Sequence, residues 1–159
     1  MAGVDHVIAE GVADPARLGI SGLSYGGYMA GWTVGQTDRF RASVAMSVVS
    51  NYVSFHLTSD VWWYDHTILE GDWFDPASQY MDRSPITHAN KCTTPTLILQ
   101  GAVDRCTPVR QADELFTAIA ETGTEVELVV YPREGHVPLE RAHATDAIRR
   151  TQEWFDRYL

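Results

Sequence analysis

Gly22-Leu23-Ser24-Tyr25-Gly26, followed by Gly27, fits the GxSxG pattern of a nucleophile elbow. A serine in that pattern sits on a strained turn between a strand and a helix, beside small residues that let the two segments approach. Its hydroxyl is lifted clear of the sheet at a helix N-terminus, where backbone N–H groups and the positive dipole end can meet a developing oxyanion. A lone serine is a weak nucleophile and needs a base that a third group orients. Asp104, in Gly101-Ala102-Val103-Asp104, and His136, in Glu134-Gly135-His136, supply those types in the chain order serine, acid, histidine. Taken singly, Asp104 reads equally well as a loop carboxylate or a helix cap, and His136 as a polar loop residue. Their joint order behind the elbow carries the reading.

The elements that must position these residues alternate. Residues 2–10 read as a helix stopped by Gly11, and Asp14-Pro15 as a turn. Residues 17–21 form a short apolar strand, 25–36 a helix rich in small residues, and 41–46 a second strand. Thr96-Leu97-Ile98-Leu99-Gln100 is a continuous apolar run of the kind a parallel strand buried on both faces requires. Thr107-Pro108 reads as an N-cap and first helical residue, opening a helix to about Thr122 with Gly123 after it. Val126–Tyr131 is a fourth strand, and Ala144–Leu159 an amphipathic helix with Ile148, Trp154, Phe155 and Leu159 for its apolar side. Strands separated by helices imply βαβ units and a parallel sheet covered on both faces. Ser24, Asp104 and His136 then each follow a strand and meet at the C-terminal edge of the sheet, where open α/β sheets place their sites.

Composition narrows the function classes. The chain has 159 residues, 45% hydrophobic and 21% charged, and carries a net charge of −9. Its length fits one globular domain. Lys91 is the only lysine and no basic block occurs, so neither nucleic acid nor another phosphate backbone is an expected partner. No apolar run approaches the roughly 20 residues of a membrane span. The start, Met1-Ala2-Gly3-Val4-Asp5-His6, lacks the regions of a secretory signal, so the expected localisation is cytoplasmic and no membrane partner is expected. Cys92 and Cys106 flank the third strand and are expected to be free thiols, too far apart for a disulfide.

Residues 48–90 hold nearly half of the aromatics. Trp62, Trp63, Tyr64 and Trp73 read either as core or as the wall of an acyl or side-chain pocket, and are taken as candidate substrate-binding residues. His66 and Glu70 stand at helical spacing, with His56, Asp60 and Asp65 nearby, but no metal-ligand signature is present and no metal site is expected. His6, His56, His66, His88 and His143 read as surface or capping residues. No phosphate-cradling glycine loop occurs, and no cofactor is expected.

Together these motifs make the chain similar to the C-terminal catalytic part of the prolyl oligopeptidase family, especially its acylaminoacyl-peptidase-like branch. The resemblance rests on Gly22-Leu23-Ser24-Tyr25-Gly26-Gly27-Tyr28-Met29, Thr37-Asp38-Arg39-Phe40-Arg41-Ala42, Arg83-Ser84-Pro85, Thr94-Pro95-Thr96-Leu97-Ile98-Leu99-Gln100-Gly101, Asp104 and Gly135-His136. It implies an α/β class chain, a partial α/β-hydrolase fold of about four parallel strands flanked by helices, with residues 1–159 as a single, truncated catalytic domain. It implies Ser24 as nucleophile, His136 as general base and then acid, Asp104 as the group that orients His136, and the Tyr25 backbone N–H as an oxyanion donor. Gln100 departs from the pattern, since relatives carry His there. The resemblance also places a propeller, the first half of the sheet and a second oxyanion donor before the elbow, and residues 1–159 are expected to begin inside the helix that precedes the elbow strand. Losing one donor costs on the order of 10²–10³ in rate.

The elbow strand is therefore expected at a sheet edge with unpaired backbone groups. That edge predicts a homo-oligomer that covers it. The expected activity is that of a serine hydrolase working through an acyl-enzyme on Ser24, as a promiscuous carboxylesterase of small acyl esters, because alkoxides leave more readily than amines. The alternatives are an acylaminoacyl or oligopeptidase-type serine peptidase acting on peptides, and an inactive fragment that serves as a binding scaffold.

Overall fold

The computed structural model describes all 159 residues. Its centre is a four-stranded parallel sheet in the order β1-β2-β3-β4, from β1 (Gly19–Leu23), β2 (Ala42–Met46), β3 (Thr96–Gly101) and β4 (Val126–Tyr131). The registers Leu23↔Met46, Met46↔Leu99 and Leu99↔Val129 align the strand ends, so the loops that follow the strands leave from one edge. Helices α1 (Ala2–Ala9), α2 (Tyr25–Val34), α3 (Tyr52–Thr58), α4 (Gln79–Asp82), α5 (Val109–Ala120) and α6 (Arg141–Tyr158) complete the chain, with 3-10 segments at Trp62–Thr67 and Pro85–Lys91.

The alternation of side chains along the strands divides the core between two faces. On β3, Ile98 joins Ala30 and Val34 of α2 and Ala112, Leu115 and Ile119 of α5. Leu97 and Leu99 point the other way, onto Ala147 and Trp154 of α6. All six residues of β3 are buried, as its unbroken apolar run requires. β1, at the edge, alternates between exposed and half-buried residues. A third cluster, aromatic throughout except for Val49, gathers Tyr28, Tyr52, Phe55 and Tyr80 beneath the segment that follows β2. No helix is long and apolar enough to cross a membrane.

Several boundaries differ from the sequence reading. β1 runs on to Leu23, so strand leads directly into the elbow. α5 begins at Val109 with Pro108 at its cap, and Thr107 does not cap it. The Thr107 hydroxyl donates instead to Asp104 Oδ2 at 2.7 Å, a charged acceptor that is a stronger partner than a helix N–H. α6 starts at Arg141, earlier than the reading from Ala144. Ile148, expected on its apolar side, is 70% exposed, because the helix turns Ala147 and Trp154 to the sheet.

Candidate active site

Ser24 ends β1 and caps α2 with φ 62° and ψ −119°, a left-handed conformation that an L-residue adopts only when its surroundings impose it. Those surroundings are visible. Ser24 N–H donates to Met46 O on the neighbouring strand at 3.0 Å, and Tyr28 N–H donates to Ser24 O at 2.8 Å. A Cβ on Gly22 would lie 2.4 Å from the Gly26 backbone, and one on Gly27 would lie 2.2 Å from Met46 O. Glycine is therefore required at both positions by the close approach of strand, turn and helix. Tyr25 N–H opens the first turn of α2, where helical N–H groups have no partner in the preceding turn and are free for an anion.

Asp104 follows β3, itself buried between the exposed Val103 and Arg105. Its Oδ1 accepts the N–H groups of Cys106 and Thr107, each at 2.9 Å. Its Oδ2 accepts the Thr107 hydroxyl, Gln100 Nε2 at 3.1 Å and His136 Nδ1 at 3.0 Å. Burial works against the charged form, but the hydrogen bonds from His136 and Thr107 outweigh it and hold the carboxyl below its ordinary value. The acid is thus kept ionised and fixed in orientation. His136 leaves the end of β4, and its backbone carbonyl accepts the Ser47 hydroxyl at 2.7 Å. With Nδ1 turned to Asp104, its Nε2 faces no protein partner and is available to the serine. No hydrogen bond joins Ser24 Oγ to His136 in this ligand-free geometry. Such contacts commonly tighten only around substrate.

Three residues that sequence reasoning passed over hold this pair. Gln100, buried at the end of β3, donates Nε2 to Asp104 and to Thr107 O at 2.8 Å, while its Oε1 is buried without a partner. Thr107 also approaches His136 Nδ1 at 3.3 Å. Glu134 folds its carboxylate back over the histidine loop, accepting Leu139 N–H, Glu140 N–H and His143 Nδ1, all at 2.8 Å. The backbone bond from Leu139, with the His143 contact behind it, outweighs burial and holds the Glu134 carboxyl below its ordinary value. One buried carboxylate therefore closes the loop on both sides of His136. Its own carbonyl accepts Val103 N–H at 3.0 Å, tying that loop to the one bearing Asp104. Glu134, two residues before His136, was the one signal in the sequence that could have found this.

An apolar cavity of about 280 Å³ opens beside Ser24 and Tyr25 and is walled by Tyr52, Phe55, Trp63 and Tyr64. Of the four candidate substrate-binding aromatics, the structure brings Trp63 and Tyr64 to this cavity. It places Trp62 and Trp73 behind it, packed around His56 with ring centroids 5.7 and 6.1 Å away. Cys106 lies at the cavity, where burial and the Asp104 and Asp60 carboxylates push its thiol up, and both cysteines are free. Two histidines read as surface or capping residues are instead paired with buried acids, His56 with Asp65 at 2.9 Å and His143 with Glu134. Neither pairing is local in sequence, which is why spacing did not reveal it. His56, Asp65 and His66, and separately Glu134, Glu140 and His143, bring potential metal-ligating atoms together.

The arrangement has a serine on a strained turn, an imidazole paired with a carboxylate, a helix N-terminus and an apolar cavity, and acyl transfer draws on parts of these kinds. The family model described as the prolyl oligopeptidase family matches residues 1–159. The peptidase YuxL of Bacillus subtilis, itself uncharacterized, is 41% identical over 150 residues, covering 92% of this chain and 23% of that protein. The acylamino-acid-releasing enzyme of Arabidopsis thaliana is 32% identical over 165 residues, covering 98% of this chain and 22% of that enzyme. Among solved structures, the acylaminoacyl peptidase of Pyrococcus horikoshii superposes with a TM-score of 0.91 at 26% identity, covering 98% of this chain and 26% of its own. A puromycin-hydrolyzing peptidase of Mycobacterium tuberculosis gives 0.91 at 27% identity, covering 99% and 24%. The chain thus spans about a quarter of the length of the relatives it matches.

Proposed function

The chain belongs to the prolyl oligopeptidase family of serine hydrolases, and from that premise we propose that its site cleaves peptide bonds after a bulky apolar residue through an acyl-enzyme on Ser24. The relatives carry the weight here. Those that carry a functional name are named as peptidases or acylamino-acid-releasing enzymes, so the amide bond displaces the ester as the preferred reading. The observation that carries the mechanism is the pairing of His136 Nδ1 with Asp104 at 3.0 Å, which leaves Nε2 without a protein partner.

Ser24 Oγ attacks the scissile carbonyl carbon and His136 Nε2 takes its proton. The carbonyl oxygen becomes an oxyanion that the Tyr25 N–H receives. His136 then gives its proton to the departing amine, the C–N bond breaks, and acyl-Ser24 remains. Water repeats the sequence, losing a proton to His136 and releasing the acid while Ser24 recovers its hydrogen. Asp104 stays ionised throughout and stabilises the imidazolium. The cavity walled by Tyr52, Phe55, Trp63 and Tyr64 takes the side chain on the acyl side of the bond. Activated esters enter the same path with a better leaving group and remain useful probes. The free edge of β1 calls for a covering strand, and a second copy of the chain is one source, which light scattering tests.

The test compares an N-acetyl-phenylalanine anilide, the glycine analogue and a p-nitrophenyl ester, beside Ser24→Ala. Hydrolysis of the phenylalanine anilide above the glycine one, lost in the variant, is the expected result. Ester cleavage without any amide cleavage would return the esterase reading. A folded protein whose Ser24 fails to react with a fluorophosphonate would leave only a binding scaffold.

A further inference from the structure

Behind the wall of the apolar cavity, His56 of α3 and Asp65 and His66 of the following 3-10 turn present one potential ligand atom each, all within 4.8 Å of one another. The Asp65 side chain is fully buried. Its Oδ2 lies 2.9 Å from His56 Nδ1, and its Oδ1 accepts the His66 backbone N–H at 2.8 Å. His56 Nδ1 and Asp65 Oδ2 can meet one ion once the proton between them leaves, since metal ligands must be deprotonated. The His66 ring is exposed, and its one polar contact is a 3.5 Å approach of Nδ1 to the Tyr80 hydroxyl. It can turn without breaking a strong bond.

We propose that His56, Asp65 and His66 bind one divalent transition-metal ion of the zinc class. Two imidazoles and a carboxylate suit zinc, nickel or copper, whereas magnesium and calcium favour all-oxygen sets. Donor atoms around tetrahedral zinc stand about 3.4 Å apart, so the cluster must close by about an ångström, which rotation of the His66 ring supplies. Binding strips the ion of all but one of its waters in favour of His56 Nδ1, a His66 ring nitrogen and an Asp65 oxygen, releases to solvent the proton held between His56 and Asp65, and changes no oxidation state. The second acidic cluster is a poorer candidate. There both carboxylates are engaged by groups outside the cluster, Glu134 by Leu139 N–H at 2.8 Å and Glu140 by Arg133 at 2.7 Å. An ion held by His56, Asp65 and His66 would tie α3 to the turn bearing Trp63 and Tyr64, and so would act on the pocket wall and not on the Asp104–His136 pair.

The experiment is a titration of the tag-free protein with zinc by calorimetry, and with nickel by tryptophan fluorescence, since Trp62 and Trp73 pack on His56 within quenching range. One ion per chain with saturable quenching is the expected result. His66→Ala should weaken binding at least tenfold with an unchanged far-ultraviolet spectrum, and His66→Asn repeats the comparison if the alanine variant loses that spectrum. His143→Ala should bind as the wild type does. The proposal is overturned by a wild-type protein that shows no saturable binding, by folded His66 variants that bind unchanged, or by loss of binding in His143→Ala.

Discussion

The loops that carry Asp104 and His136 and the segment that walls the pocket leave the same edge of the sheet, yet they are held by different forces. The first are polar and closely determined. Asp104 accepts five hydrogen-bond contacts, and Glu134 closes the histidine loop with three more. The second, from α3 to α4, rests largely on ring packing among Tyr28, Tyr52, Phe55 and Tyr80, with one short 3-10 segment between the two helices. Directional bonds fix an atom to a fraction of an ångström, as proton transfer demands. Ring packing has broad minima and tolerates exchange, as a specificity pocket can. Under the proposed function, the contrast assigns the reaction to the polar loops and the choice of side chain to the aromatic segment.

Breaking the polar side should therefore be far more costly to turnover. Asp104→Asn keeps the shape but removes the charge that selects the His136 tautomer, and kcat should fall by about 10³–10⁴ with KM nearly unchanged. Glu134→Gln comes next. It leaves Asp104 and His136 intact but loosens the loop that carries His136, and a misplacement of about 1 Å is enough to lose about 10²-fold in kcat. Steady-state kinetics on one anilide substrate checks both. Glu134 also carries a pH signature. Its folded pKa lies below its ordinary value of 4.5, so it contributes stability above that pH, which is lost as pH falls through the depressed folded value. Thermal melts from pH 7 down to pH 3 should show the wild-type midpoint falling through this window, and Glu134→Gln should flatten that limb. An unchanged limb would mean that the carboxylate is not what closes the loop.

The same division explains what could be read in advance. The elbow, β3 and the order of serine, acid and histidine were legible because glycine spacing and an unbroken apolar run are local signals. Gln100 and Thr107 were not, because their partners depend on how the loop after β3 turns back on itself. Thr107 before Pro108 imitates a helix cap in sequence, and only the nearby carboxylate redirects its hydroxyl. In the aromatic segment the residue types predicted a wall but could not sort it. Trp62 and Trp63 are adjacent in a 3-10 segment, and nothing in their residue type or spacing says which of the two lines the cavity. His56 and Asp65 meet across nine positions through packing alone.

On the aromatic side the effects should be smaller and should appear in KM and substrate choice. Tyr64→Ala and Trp63→Ala open the cavity wall, and each should raise KM for a phenylalanine substrate about tenfold, the scale of one lost apolar contact in a pocket, while kcat changes less. The finest cut is between neighbours. Trp62 and Trp63 are 50% and 55% exposed, so burial alone gives them equal worth. Only Trp63 faces the cavity, whereas Trp62 lies edge-on to His56. Trp62→Ala should therefore leave the ratio of kcat/KM for phenylalanine over glycine substrates within about twofold of the wild type, since surface truncations change little beyond about 0.5 kcal/mol. Trp63→Ala should lower that ratio. If both variants lower it equally, the wall is a single flexible unit and the assignment of side chains to its two faces is wrong. If neither does, substrate side chains bind elsewhere, and the separation of chemistry from selectivity drawn between the two regions fails.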